Sequence, residues 1–352
     1  MELKPGDKLG PYEIVSAIGR GGMGEVWEAR DPRLDGTGAL KGSFPSGLNR
    51  YTFLPLRLIL FGFLPALMLH AQSDSQGAAG LDEYLEALAR TAATFAVTAP
   101  GLTAEETLDQ RGRRGLVEIL KGKGGKKVRI KDIDVMRPED FHTHHVVSRY
   151  ALAEIGEGHA LHEIRTIVTI DGESLKTAGD ARHALTIGLR SADDRTKREL
   201  LENLEHNQLE GAVTDFGQLI LLFTRRLQKD YVFSLAGDQN LSGEPVFVLG
   251  YRQISGAQGL MVFRERTEET QTATGQIWLR QKDLLPIRIT MNTEEPLSKK
   301  LTIRTLALVD YMPSPFGLVP ASVIHMQLLN STLMVENDFH YADFQHPHPM
   351  IP

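Results

Sequence analysis

The chain has 352 residues, of which 24% are charged and 41% hydrophobic, and a formal net charge of −6. That length suits one large domain or two modest ones, and a mildly acidic chain has no global attraction to nucleic acid or anionic membrane. The absence of cysteine excludes disulfides, thiolate zinc sites and a cysteine nucleophile.

In chain order, residues 9–41 read LGPYEIVSAIGRGGMGEVWEARDPRLDGTGALK. Gly19, Gly21 and Gly24 form G-x-G-x-x-G, with Val26 two residues further on. Tyr12–Ile18 and Glu25–Arg30 alternate as strands, which puts the glycines at a hairpin tip. Backbone amides there can approach phosphate with no Cβ in the way. Lys41 closes Ala39-Leu40-Lys41 at the end of a third short strand, within reach of phosphate oxygens. This combination closely resembles the start of a bacterial serine/threonine protein kinase. The resemblance implies that Ile18, Gly19, Gly21, Gly24 and Val26 cover ATP and that Lys41 pairs with its phosphates.

The resemblance spans about a tenth of the chain. Residues 42–70 contain no acid that could hold the lysine, and none of the twelve histidines is followed two residues later by aspartate. Asp215-Phe216-Gly217 spells the kinase magnesium motif. It is predicted instead to open an amphipathic helix, Phe216–Gln228, with Phe216, Leu219, Ile220, Phe223 and Leu227 on one face. Three strands without a second lobe bury too little to fold alone. Residues 1–41 therefore read as a truncated, catalytically incomplete kinase-like fragment, with ATP its implied ligand.

A Gly/Ser/Pro/Asn linker, residues 42–50, leads to the most apolar stretch, Tyr51–Ala71. Arg50 and Arg57 precede an uninterrupted apolar run, Leu58–Leu69, and Ala71, Gln72 and Ser73 follow it. That is signal-peptide-like, and short of the roughly 20 apolar residues of a spanning helix. Adding Tyr51–Leu56 reaches the length only by burying Arg57 and two prolines. Pro55, Gly62 and Pro65 argue against a straight core helix. Cleavage near Ala71 would leave a periplasmic protein; without cleavage, the segment would anchor the chain in the inner membrane with the C-terminal domain outside.

Residues 78–346 are expected to form an exported α+β domain. Leu81–Phe95 has helical period, with Leu81, Leu85, Leu88 and Ala92 on one face. His162–Ile170 alternates and meets the hairpin dipeptide Asp171-Gly172. Asp193–Leu209 is predicted as a charged surface helix. Strands follow at Tyr231–Ala236, Val246–Ile254, Thr274–Arg280, Pro286–Asn292, Leu301–Val309, Val319–Leu329 and Met334–Phe344, with short links that favour an antiparallel meander.

Gly275-Gln276-Ile277-Trp278-Leu279 before Leu285-Pro286-Ile287-Arg288-Ile289, then Leu318-Val319-Pro320-Ala321 and Phe339-His340-Tyr341-Ala342-Asp343-Phe344, loosely resemble the lipoprotein-carrier (LolA-like) superfamily over residues 80–345. The resemblance implies a curved antiparallel half-barrel with covering helices that cradles lipid or lipoprotein acyl chains. Ile277, Leu279, Ile287, Ile289, Ile303 and Val323 are the predicted cavity lining; the competing reading packs them against the helices with no cavity.

His142, His144 and His145, with His159 and His162, could supply imidazoles to a metal, but the favoured reading is a strand edge with His142 and His144 facing one way. Arg111–Lys131 holds nine basic residues and one acid, Glu118. Its glycines make a solvated hairpin the favoured reading, so no nucleic-acid partner is expected. No catalytic residue, metal site or cofactor is assigned to this domain.

Overall fold

The computed structural model describes residues 8–9, 12–21, 24–31, 36–42, 51–55, 75–113, 141–156, 160–191, 193–207, 209, 211, 215–254, 260–264, 267–298 and 301–346. The chain divides into two compact units, Met1–Gln72 and Ser73–Pro352.

In the first unit, five strands run as an antiparallel meander: β1 (Lys8–Leu9), β2 (Tyr12–Gly21), β3 (Gly24–Asp31), β4 (Gly36–Gly42) and β5 (Tyr51–Pro55). Gly21 pairs with Gly24, so the glycine run brackets the β2–β3 turn. Register then places Gly19 opposite Val26, and Val26 opposite Lys41. The predicted apolar segment begins differently from expectation. Tyr51–Pro55 is a strand paired to β4, in keeping with its β-formers Tyr51, Thr52 and Phe53. Residues 56–74, which carry the rest of the signal or anchor reading, lie outside the described residues. Among the described residues, no helix is long and apolar enough to cross a membrane.

The second unit opens with α1 (Ser75–Thr98), longer than the predicted helix but with the expected face inward: Leu88, Ala92 and Phe95 are buried. Strands β6 (Thr103–Arg113), β7 (Phe141–Ile155), β8 (Ala160–Ile170) and the two-residue β9 (Glu173–Ser174) form one meander. Helices α2 (Ala178–Arg190), α3 (Asp194–Leu201) and α4 (Asn203–His206) follow. A 3-10 helix (Leu219–Phe223) and the single turn α5 (Arg225–Gln228) come next. The second meander is β10 (Tyr231–Leu241), β11 (Glu244–Gln253), β14 (Thr274–Arg280), β15 (Pro286–Ser298), β16 (Leu301–Ser314), β17 (Gly317–Leu329) and β18 (Thr332–Gln345). Between β11 and β14, β12 (Leu260–Arg264) and β13 (Thr267–Gln271) pair as a separate hairpin.

The two meanders join because the last strand pairs with the first. The eleven-stranded sheet runs β10-β11-β14-β15-β16-β17-β18-β6-β7-β8-β9, antiparallel throughout. A purely sequential meander was expected; β18 beside β6 makes it two meanders back to back. Glu336 faces Arg111 and Asp338 faces Asp109 along that seam. One sheet face carries a continuous apolar core, from Tyr150 and Leu161 to Leu249 and Tyr251, packed against α1 and the 3-10 helix. On the opposite face of β7 and β8, α2 and α3 cover Ala151, Ala153, Ile155 and Ile164 through Leu185 and Leu200.

Two predicted helices are corrected. The helix expected over Asp193–Leu209 breaks at Glu202, which caps α3, and resumes as one turn. The helix expected over Phe216–Gln228 is the 3-10 helix plus one α turn, separated by extended Thr224 at φ −58°, ψ 150°. Its apolar residues still point inward, because the 3-10 turn keeps Leu219, Ile220 and Phe223 on the sheet side. Helix α2, strand β6 and the β12–β13 hairpin were not predicted, and β7 was expected only as a strand edge carrying His142 and His144.

Gly275 shows how tightly the core face is built. A Cβ there would collide with the Thr290 carbonyl and the Tyr251 ring. The missing side chain lets Tyr251 lie across the strand and donate its hydroxyl to Thr290 O at 2.7 Å. Gly275→Val should lower the urea midpoint with the slope unchanged, a loss of about 2–3 kcal/mol from overpacking, read by fluorescence and circular dichroism.

Candidate functional site

The chemistry-bearing side chains gather where β18, β6, β7 and β8 lie side by side. Alternation along β8 turns Leu161, Glu163 and Arg165 toward the core face, although two of the three are charged. On β6 the same alternation brings Glu106 inward, on β7 Tyr150 and on β18 Tyr341. Register sets Glu106 beside Ser148 and Tyr341, and Tyr150 opposite Arg165.

Arg165 is 0% exposed and grips Glu106 with two parallel bonds, Nε to Oε1 at 2.9 Å and Nη2 to Oε2 at 3.1 Å. This fork is the strong geometry for a guanidinium and a carboxylate. Its reach to Glu163 Oε2 is longer, 3.5 Å. The guanidinium lies 5.9 Å from the centre of the Tyr150 ring, and Tyr150 packs on Tyr341 at 4.8 Å. Burial opposes the charge on Arg165, but Glu106, through its charge and hydrogen bonds, and Glu163 together outweigh it and the guanidinium stays charged.

Glu163 takes the remaining contacts from backbone. It accepts from Asp215 N at 2.9 Å and Gly217 N at 2.8 Å, and the Tyr150 hydroxyl donates to it at 3.4 Å. Asp215 answers in kind. Its carboxylate accepts from Glu163 N at 2.7 Å and bonds His162 Nδ1 at 2.7 Å. Asp215 sits at φ +70°, and Gly217 must be glycine because a Cβ there would lie 2.5 Å from Glu163 Oε1. The Asp-Phe-Gly tripeptide is therefore a buried turn clasped to β8. Burial pushes the Glu163 carboxyl up to about 7; Arg165 opposes the shift, and Asp215 and Glu106 add to it. The hydrogen bond to Asp215 raises the His162 pKa.

A second buried polar group lies two rungs along the same strands. Gln110 donates to Asn337 Oδ1 at 2.7 Å, and Asn337 meets His325 Nδ1 at 2.9 Å and Gly211 O at 3.0 Å. His325 stacks on Phe216 at 4.9 Å, and burial holds its pKa down at about 3, so it is neutral.

His142 and His144 face one way, their rings 5.0 Å apart, as expected, on the end of β7 that pairs with β6 and extends past the β7–β8 register, which begins at Val146. His144 Nδ1 is fixed by Asp171 at 2.8 Å, and His145, turned outward, by Asp109 at 2.7 Å. With Glu336 and Asp338 these groups line a cavity of about 390 Å³. Among the described residues, no group of three or more histidine or acidic side chains is arranged to hold a metal. His159 and residues 114–140, with most of the basic stretch, lie outside the described residues.

The predicted cavity residues divide. Ile277, Leu279, Ile289 and Val323 share the main core, each at most 1% exposed. Ile303 is buried further along β16. Ile287 is not with them: a bulge in β15 opposite Trp278 and Leu279 turns it to the other face, against Val246, Val248 and Trp278. The nucleotide residues predicted in the first unit, Ile18, Gly19, Gly21, Gly24, Val26 and Lys41, all fall on β2, β3 and β4. Sequence reasoning missed Glu106, Glu163, Arg165 and Tyr150. The available sign was two charged residues at inward positions of the alternating run HEIRTIVTI.

No protein-family model matches the chain, and no curated protein matches it. Among solved structures, a DUF1329 family protein from Desulfovibrio piger aligns over 76% of this chain and 94% of its own, at 9% identity and a TM-score of 0.33. At that distance the likeness assigns neither fold nor activity to this chain.

Removing Arg165 would leave two buried carboxylates facing each other. Arg165→Met should cost about 3–5 kcal/mol in urea unfolding at pH 7, and Arg165→Met with Glu106→Gln should recover much of it. A double variant as unstable as the single one would show that packing, not charge, sets the loss.

Proposed function

We propose that the second unit binds an apolar ligand, a lipid or lipoprotein acyl chain, in the bacterial cell envelope, without catalysing a reaction. The observation that carries this reading is the asymmetry of the core. A sheet of eleven strands offers one long apolar face, and its cover includes α1 and a 3-10 helix of five residues. A twisted sheet of that width curls around what it covers. Short, irregular covers are the elements that open at low free-energy cost. Ile277, Leu279, Ile289 and Val323 would meet the ligand once the cover moved.

Full-length protein, purified and stripped of lipid, should take up a fluorescent fatty acid saturably, and lipid should co-purify with the untreated sample. Protein that is folded by circular dichroism yet takes up no fatty acid counts against the reading.

A second reading concerns the first unit, where Gly19, Val26 and Lys41 occupy one rung beside the glycine turn. We infer weak nucleotide binding there, without phosphoryl transfer, since the chain carries no kinase catalytic-loop motif. ATP binding by the full chain in calorimetry, lost in Lys41→Ala, is the expected result. Equal heats from the two proteins would remove the site.

A further inference from the structure

The eleven-stranded sheet has two margins, and they are finished differently. At one, β9 is only two residues long, and Glu163 N of β8 beside it donates to the Asp215 carboxylate. At the other lies β10, eleven residues long, and among the described residues no strand pairs with its outer side. Free N–H and C=O groups on a long margin template further pairing, so margins are normally blunted by lysine, proline or a bulge. Tyr231–Leu235 carries no charge and no proline, and the bulge comes only after it, between Leu235 and Gly237. Val232, Leu235 and, just past β11, Ile254 expose 48%, 41% and 42% of their surface along this margin.

Register tells which backbone groups are free. Ile254 N donates to Asp230 O at 2.8 Å, so Asp230 and Ile254 form a hydrogen-bonded pair. Alternation then commits Val232 and Ser234 to the ladder, opposite Arg252 and Gly250, and turns the N–H and C=O of Tyr231, Phe233 and Leu235 outward. Free groups on alternate residues suit a two-fold axis through Phe233, normal to the sheet. About that axis Phe233 faces Phe233 of a second copy and Tyr231 faces its Leu235, all as hydrogen-bonded pairs, for about six interchain bonds. Moving the axis to Val232 or Ser234 loses one of these pairs. The rotation keeps both core faces on one side, so the aromatic pair and the Tyr231–Leu235 contacts form there, while Val232 meets Ser234 on the other face.

We propose that β10 pairs with β10 of a second copy, antiparallel about Phe233, and joins two eleven-stranded sheets into one. The free rows, the apolar pairs and the uncharged span all match themselves under one rotation, which singles out a copy of this chain as the occupant. The pairing goes beyond the ligand-binding reading and does not depend on it.

Sedimentation equilibrium of the full chain over roughly 1–100 µM should show a monomer–dimer equilibrium. Leu235→Pro removes an outward N–H and no bond of the β10–β11 ladder. It should weaken the dimer by roughly ten- to a hundredfold with circular dichroism unchanged. Cross-linking reads the register, since the chain has no cysteine of its own. Val232 of one copy and Ser234 of the other form a non-hydrogen-bonded pair with Cα atoms about 4.5 Å apart, within disulfide range. Val232→Cys and Ser234→Cys proteins should therefore cross-link under mild oxidant when mixed, and neither should do so alone. A monomer at every concentration, a dimer undiminished in folded Leu235→Pro, or a mixture that cross-links no better than either protein alone overturns the pairing. Should Leu235→Pro not fold, the cross-linking decides.

Discussion

The second unit is organised around the cost of placing charge inside a sheet. An isolated ion in a protein interior is penalised by several kcal/mol, so a buried guanidinium persists only where carboxylate partners are held in place. Here the partners come from three separate pieces of chain. Glu106 is on the first strand of the sheet, Glu163 on the third, and the turn that completes Glu163 lies some 50 residues beyond it. Satisfying Arg165 and its two acids thus fixes the register of β6 against β8 through β7. It also fixes where the chain must return after α4. The seam between β18 and β6 brings in Tyr341, which walls the charged group from the apolar core.

The polar and apolar parts of the core face are segregated. Along β6, Glu106 and Gln110 are the polar inward residues, with apolar Leu108 between them; on β18, Phe339 lies opposite Leu108. Toward β10 and β11 the face becomes aromatic, with Phe223 of the 3-10 helix set among Tyr231, Phe233 and Tyr251. The segment from Asp215 to Phe223 therefore spans both environments: its first residues are held by hydrogen bonds, its last by packing. Loss of the polar anchor at Glu163 leaves a short helix held by its side chains and by the bond from Ile220 N to the Tyr311 hydroxyl.

Much of the sheet was legible because its strands alternate and its links are short. Thr274–Arg280 and Leu301–Val309 carry the period-two pattern plainly, and they form as expected. Other elements were hidden for identifiable reasons. The inward positions of β6 include Glu106 and Gln110, so its pattern reads as polar (TAEETLDQRGR) although those side chains are buried. Helix α2 draws its start from a Thr177 cap on Asp180 N and its inward face from Ala181, Leu185 and Gly188, a stripe too small to stand out. The Asp-Phe-Gly turn could not be read as a turn, because its φ of +70° at Asp215 is imposed by Glu163, 52 residues away. The charged cluster is a property of register between distant strands, which no local pattern encodes. Lys41 lies on β4 opposite Val26.

The magnitudes bear on whether an acyl chain can enter a core that is already filled. The 3-10 helix contributes Leu219, Ile220 and Phe223 to the core, each nearly fully buried. Exposing them costs about 1.5–3 kcal/mol apiece, hence roughly 5–9 kcal/mol together. A buried methylene returns about 0.8 kcal/mol, so a chain of a dozen or so methylenes offsets that cost in full. A ligand with only a few methylenes does not, and the seated helix excludes it. Under the proposed ligand-binding reading, length selectivity would follow from the filled core itself.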